Sequence, residues 1–245
     1  MYDMSEKICL VIPCFNESER LGIEEIIKFS SKYYFLFVND GSKDNTLDIL
    51  KNISHENIFI LDLPRNLGKA EAIRRGFLYL KEIPIYNELD WIGFWDADLA
   101  TPLYEVQNFL IFAKSFNPNA KAIFGSRVRR LGSKIIRYPK RHYFGRMFAT
   151  MVNLIFNVIV YDPQCGAKLF KKELIEKYFN EQFISSWIFD VEIILRMREE
   201  YIIEYPLLEW RDIKGGTLKI SSVVFRVLKD IIKLIRRYKF NVKGY

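Results

Sequence analysis

The sequence predicts an α/β protein whose mainly parallel sheet carries helices on both faces. Three observations lead there. Short apolar runs alternate with helix-length amphipathic segments through the first half; polar clusters rich in Gly, Asn and Asp follow the apolar runs; and 245 residues, 50% hydrophobic, suffice for one sizeable core.

Ile8 to Ile12 reads as a buried strand, Pro13 to Ser18 as a loop and Glu19 to Lys32 as an amphipathic helix. Tyr34 to Val38 is a second strand, followed by the polar turn NDGSKDNT and a helix from Thr46. Asn57 to Leu61 is a third, with the loop LPRNLGKA and a helix to Lys81. Trp91 to Trp95 is a fourth, with a helix starting near Pro102, and Lys121 to Gly125 is a fifth. Strands spaced by such helices imply right-handed crossovers, so the strands end on one rim, where open α/β sheets bind ligands.

The second half is less regular. A helix is expected from about His142 to Val160, with Arg146, Thr150, Asn153 and Asn157 as a polar stripe; it suits either packing on the sheet or lying at a membrane surface. Phe189 to Glu200 reads as a helix and Ile202 to Trp210 as a strand. Near the C-terminus, Val224, Val227, Leu228, Ile231, Leu234, Ile235 and Tyr238 fall on one face and Arg226, Lys229, Lys233, Arg236 and Arg237 on the other. Hence one domain over 1–220 and a basic amphipathic tail over 221–245, suited to peripheral membrane contact.

The net charge of +7 is local. From Arg127 to Arg141 the chain holds seven basic and no acidic residues, and the tail is also basic. Such patches meet anions, phosphate or acidic lipid among them. No nucleic-acid motif accompanies them, so nucleic acid is not expected as a partner. Cys9, Cys14 and Cys165 form no CxxC pair, which argues against a disulfide framework or zinc knuckle and for a reducing compartment. No signal peptide is evident, and Met147 to Tyr161 falls short of the ~20 apolar residues of a spanning helix.

At the fourth strand's end, Asp96 and Asp98 stand one residue apart in WDADLATP. Two carboxylates beside a pocket can hold a hard divalent cation, Mg²⁺ or Mn²⁺, which would neutralise a departing diphosphate. The plainer alternative is that one caps the helix at Pro102 and the other is solvated.

VIPCFNE, VNDGSKDNT, NLGKAEAIRRGF, DADLATP and GSR occur in this order, and in that company the chain resembles the family-2 glycosyltransferases of GT-A fold. RYPKR, DPQCGAKLF and FDVE resemble the dolichyl-phosphate glucosyltransferase branch, with the dolichyl-phosphate mannose synthases more distant; the likeness spans about Lys7 to Thr217. The resemblance implies a nucleotide-sugar donor. Pro13, Phe15 and Glu17 would line the nucleoside pocket, Asp40 would accept from base or ribose, and Lys69 would reach base or phosphates. Asp96, with Ala97 beside it, would lie near ribose and metal, and Asp98 would hold the metal directly. Ala100 replaces the Gln common in mannose synthases, which favours UDP-glucose.

The implied acceptor is a polyprenyl or dolichyl phosphate, already an anion and in need of cations rather than a base. Arg127, Arg137, Arg141 and Lys168 are the candidates to hold it, and Asp98, Arg127, Lys168 and Asp190 are the candidate catalytic residues. Asp190 and Glu192 stand where relatives with hydroxyl acceptors keep a catalytic carboxylate; here orienting the arginines ranks ahead of acting as base. The expectation is an inverting hexosyltransferase at the cytoplasmic face of a membrane. Transfer to a hydroxyl acceptor and transfer of mannose from GDP-mannose stay open.

Overall fold

A computed structural model describes residues 6–213 and 220–239. The chain runs β1 (Ile8–Cys14), α1 (Ile23–Phe29), β2 (Tyr34–Asp40), α2 (Thr46–Lys51), β3 (Ile58–Leu63), α3 (Lys69–Leu80), β4 (Trp91–Trp95), α4 (Glu105–Phe116) and β5 (Ala122–Ser126). There follow β6 (Lys134–Ile136), α5 (Pro139–Phe156), β7 (Ala167–Lys171), α6 (Lys172–Tyr178), α7 (Phe189–Arg196), β8 (Ile202–Pro206), β9 (Glu209–Arg211) and α8 (Ile220–Leu234). Seven strands form one sheet in the order β3-β2-β1-β4-β7-β5-β8, and β6 pairs with β9 in a small second sheet.

Alternation along β1 shows why the sheet is covered on both sides. Cys9 and Val11 belong to one apolar cluster and Ile8, Leu10 and Ile12 to the other, as successive side chains of a strand must point to opposite faces. With both faces buried, the strand reads as a continuous apolar run. Phe77, Phe94 and Phe170 fill one layer, Phe35, Trp95 and Phe109 the other.

β7 departs from the expected pattern. It inserts antiparallel between β4 and β5, with Trp95 opposite Ala167 and Phe94 opposite Lys168. Its first residue therefore meets the last of β4, which brings the segment before β7 to the rim where the parallel strands end. The first helix is also shorter than expected, because residues before Ile23 fold as a turn in which Arg20 and Leu21 N–H groups donate to the Glu17 carbonyl. The expected strand over 202–210 is two, β8 and β9, separated at Leu207.

The tail is not a free helix. Ile231 and Leu234 are buried in the domain core, with Val227, Ile235 and Tyr238 packed beside them. Asp230 is buried as well, and its carboxylate accepts from the Ser185 hydroxyl at 2.8 Å. Much of the apolar face that the sequence offers to a membrane is taken up by the domain. The side chain of Val224 and residues 240–245 lie outside the described part, as does much of the DIKGGT loop.

Candidate active site

Two rim loops are laced together at the nucleoside end. The Asn16 N–H donates to Ser42 Oγ at 3.0 Å, Asn16 Oδ1 accepts from the Lys43 N–H at 2.8 Å, and the Glu17 N–H donates to Thr46 Oγ1 at 2.8 Å. Asn16 adopts a left-handed conformation to do this, with φ of 54°, which Asn tolerates better than most residues. Asp44 accepts from Ser18 and Thr46; burial pushes its carboxyl up, but these hydrogen bonds outweigh it and hold it at about 2. Phe15 is left 40% exposed above the lacing, its ring open for stacking, with Pro13 half-buried beneath it.

Asp40, the candidate acceptor from base or ribose, is tied into the rim. It is buried, and its two carboxylate oxygens accept from the Leu67 N–H at 2.7 Å and the Gly68 N–H at 2.8 Å. The carboxylate thus clamps the loop ahead of α3 and sets the position of Lys69. Gly41 makes the approach possible: a methyl group there would fall 2.5 Å from the Arg65 backbone.

Lys69 reaches across the rim to Asp96, Nζ to Oδ1 at 2.5 Å. Burial depresses its ammonium, but the charges of Asp96 and Asp190 prevail and raise it. Asp96 fits into a niche that only glycine permits, since a methyl group on Gly166 would stand 1.9 Å from Asp96 Oδ2. Asp98 projects beside it from a turn in which Leu99 has φ of 49° and the Ala100 N–H donates to Asp98 Oδ1 at 3.1 Å. Burial, then the charge of Asp96, pushes the Asp98 carboxyl up. Glu17 is raised too, by burial first; Arg20 opposes this, while Asp98 and Asp96 add to it.

Glu17 and Asp98 are thus both raised by burial and then in part by the charge of Asp96, with Lys69 and Arg20 as the cations that answer them. Asp98 and Asp96 would be the residues to hold a hard divalent cation, which would take its remaining oxygens from a diphosphate and water; among the described residues no third His, Cys, Asp or Glu joins them in a metal-binding group. Ala97 and Ala100 do not offer side chains to a ligand. Both are buried in the core, and their carbonyls accept from the N–H groups of Gly22 and Arg211.

The acceptor end corrects two expectations. Lys168 is fully enclosed, at 0% exposure, and its ammonium donates to the Cys165 carbonyl and to Asp190 Oδ1, both at 2.6 Å, over the rings of Phe94 and Phe124. It cannot also face a phosphate; it fixes Asp190. Arg127 is likewise committed, bidentate to Asp162 at 2.6 and 2.7 Å with side chains only 12% and 10% exposed. Burial pushes Asp162 up, yet the Arg127 charge outweighs it and holds the carboxyl at about 2, while Arg127 itself is raised. Glu204 supports the pair by accepting from the Tyr161 and Asp162 N–H groups at 2.6 and 2.8 Å.

Of the candidates Arg127, Arg137 and Arg141, Arg137 is the one left uncommitted among the described residues. It makes no hydrogen bond or ion pair among the described residues, and it lies over Gly145, where a methyl group would stand 2.8 Å from Nη2. Burial and then the Arg127 charge depress it, so a nearby anion would be welcome. Arg141, partly exposed, pairs with Asp212 at 2.5 Å. His142 beside them is depressed by burial and by Arg137, Arg129 and Arg146.

Asp162, Glu204 and Gly166 carry this site without having been singled out in the sequence. DPQCG contains two of them, and a Gly between a Cys and the start of a strand is a signal for close backbone approach. Glu192, expected near the chemistry, instead lies at the base of α7. It accepts from the Ile184 N–H, Arg196 and Tyr238, so the tail braces the segment that presents Asp190.

The α/β sheet with helices on both faces and the carboxylates Asp96 and Asp98 at the end of β4 are shared with glycosyltransferases of GT-A fold. The model of the family described as glycosyl transferase family 2 matches residues 9–179. A dolichyl-phosphate beta-glucosyltransferase of Trichomonas vaginalis is 32% identical over 93% of this chain and 72% of its own length. That of Saccharomyces cerevisiae is 29% identical over 96% and 76%. In fold, the chain resembles Mycobacterium tuberculosis glucosyl-3-phosphoglycerate synthase in complex with Mn²⁺, UDP-glucose and phosphoglyceric acid, with a TM-score of 0.66 and 15% identity over 98% of this chain and 82% of that one. The chain belongs to glycosyl transferase family 2, within the dolichyl-phosphate beta-glucosyltransferase group.

Proposed function

We propose that this chain transfers glucose from UDP-glucose to a polyprenyl or dolichyl phosphate with inversion at the anomeric carbon. The observation that carries it is the acceptor end: Arg137 stands without a bonded partner among the described residues, whereas Asp190, the carboxylate that could serve as base, is tied to a buried lysine. A phosphate nucleophile needs orientation by cations and no deprotonation. The relatives named above support the donor and the lipid phosphate.

Phe15 and Glu17 hold the nucleoside, Lys69 orients the diphosphate side through Asp96, and Arg137, with Arg141 at the edge, draws in the acceptor phosphate. Arg127 and Lys168 act through others, setting the frame of Asp162 and the position of Asp190. A divalent cation at Asp98 and Asp96 would neutralise the leaving diphosphate. Because the acceptor is a lipid, the reaction belongs at a membrane surface. No described helix is long and apolar enough to cross a membrane.

The test incubates the protein and Mg²⁺ or Mn²⁺ with labelled UDP-glucose, UDP-N-acetylglucosamine or GDP-mannose and a polyprenyl phosphate. A lipid-extractable, acid-labile product from UDP-glucose supports the proposal. Product from GDP-mannose alone replaces the donor, and no product from any of the three overturns the reading.

A further inference from the structure

Helix α5 is apolar on two opposite sides, and only one of them is covered. Ala149, Val152 and Phe156 enter the core. The polar stripe is also used: Asn153 bonds both the N–H and the carbonyl of Val160, and Arg146 donates to the Tyr161 carbonyl while its guanidinium stacks 3.6 Å from that ring's centroid. Tyr143, Met147 and Leu154, spaced four and seven residues apart on a third face, are 68%, 66% and 79% exposed. Tyr138 and Phe144 flank them and are also exposed.

The loop between β5 and β6 continues this surface. Leu131 is fully exposed at its tip, between Arg129 and Arg130 on one side and Lys134 on the other, all three exposed. The loop runs through the three-residue β6 into α5, and Arg137 between them packs over Gly145 of the helix, so the loop joins the helix at its first turns. Lys140 adds a further exposed cation in the first turn.

We propose that the outward stripe of α5 and the β5–β6 loop form the surface by which this chain lies on an anionic phospholipid bilayer. Tyr143, Met147, Leu154 and Leu131 enter the interface, and Arg129, Arg130, Lys134 and Lys140 meet the lipid phosphates. An apolar stripe with aromatic rings and a rim of Lys and Arg is the pattern of a helix lying in the interfacial plane. Charge selects the occupant. A second copy docking through the same face would set one cationic loop against another with no acid between Arg127 and Arg141 to answer it, whereas anionic lipid gains about 1 kcal/mol per basic residue brought to its surface.

Arg137 lies two residues before this helix with its guanidinium over Gly145 of α5, so a phosphate on a lipid lying in that bilayer is delivered beside it. Only this last point rests on the acceptor reading. The same surface relieves α8 of the anchoring role, because Ile231 and Leu234 of α8 are already in the core.

The test places a polarity-sensitive fluorophore on the full chain at M147C and, separately, at K28C, an exposed position on α1. Labelling is selective because burial raises the thiols of Cys9, Cys14 and Cys165 and encloses them. Vesicles of phosphatidylcholine with phosphatidylglycerol should blue-shift the label at 147 and leave that at 28 unchanged. Pure phosphatidylcholine should do much less. The exposed pair K134Q/K140Q should weaken partitioning by on the order of thirty-fold with unchanged melting temperature. A silent label at 147 while the protein co-sediments with vesicles overturns the surface; an equal response to neutral vesicles overturns the choice of anionic lipid. A blue-shifted label in vesicle-free solution, in a species of dimeric mass, gives the face to a second copy instead. The readout needs no turnover, so failure of sugar transfer and failure of docking are separate results.

Discussion

Replacing Arg127 by alanine and replacing Arg137 by alanine should have opposite signatures, although both arginines come from the same basic stretch. Arg127 and Asp162 form a bidentate pair at 2.6 and 2.7 Å, shielded to 12% and 10% exposure. Removing one partner leaves a buried, uncompensated charge, which costs about 3–5 kcal/mol. For a chain of this size each kcal/mol lowers the melting temperature by ~2–4 °C, so Arg127→Ala should melt roughly 6–20 °C early. Arg137 has no bonded partner among the described residues and is depressed by burial and then by Arg127; Arg137→Ala should melt at or slightly above the parent temperature. Its loss should appear in catalysis, as one charged hydrogen bond to the acceptor phosphate, which is roughly ten- to hundred-fold in kcat/KM for the lipid and little for UDP-glucose. Differential scanning fluorimetry beside steady-state kinetics with each substrate varied reads both. An Arg127→Ala protein with normal melting and a selective acceptor defect, or an Arg137→Ala protein with normal acceptor kinetics, would refute the assignment.

Three further outcomes follow from the same geometry. Gly166→Ala should abolish activity while leaving most of the fold, because the methyl group would occupy the place of the Asp96 carboxylate; isothermal titration should show UDP-glucose binding with metal lost or much reduced. Asp98→Asn should remove the dependence of UDP-glucose affinity on Mn²⁺, and in the parent that dependence should weaken as mildly acidic pH protonates Asp98 and Glu17, both raised. Asp162 is more acidic folded, at about 2, than its ordinary 3.8, so as pH falls the unfolded chain takes up the proton first. Its stabilisation, on the order of 2 kcal/mol, is present above about pH 4 and lost toward about pH 2; urea midpoints across that range should fall less steeply in Asp162→Asn.

The repeating units were legible because each strand and helix announces itself locally, by an apolar run or by a helical period. The rim was legible for the same reason: parallel strands force their following loops to one edge, so Asp40, Lys69 and Asp96 were expected near one another, and they are. β7 was not, since AKLFK is short and holds two lysines, and only its neighbours β4 and β5 make it a central strand. The expectation for Lys168 rests on the family position of GAK, which says nothing of its surroundings; the rings of Phe94 and Phe124 and the carboxylate of Asp190 that enclose it lie far away in sequence. The same holds for Arg127 and Asp162, 35 residues apart. The tail's amphipathic period says only that one face is covered. Here the domain, through Ser185 and the core around Ile188, covers much of it.

The central claim is that the nucleophile is a phosphate held by Arg137, not a hydroxyl deprotonated by Asp190. Supplying labelled UDP-glucose and metal with either a polyprenyl phosphate or the polyprenol of equal length, and identifying the lipid product, tests it directly. The account predicts β-linked glucosyl phosphate from the first and nothing from the second. Glucosylated polyprenol, formed at a comparable rate and lost in Asp190→Asn, would contradict it.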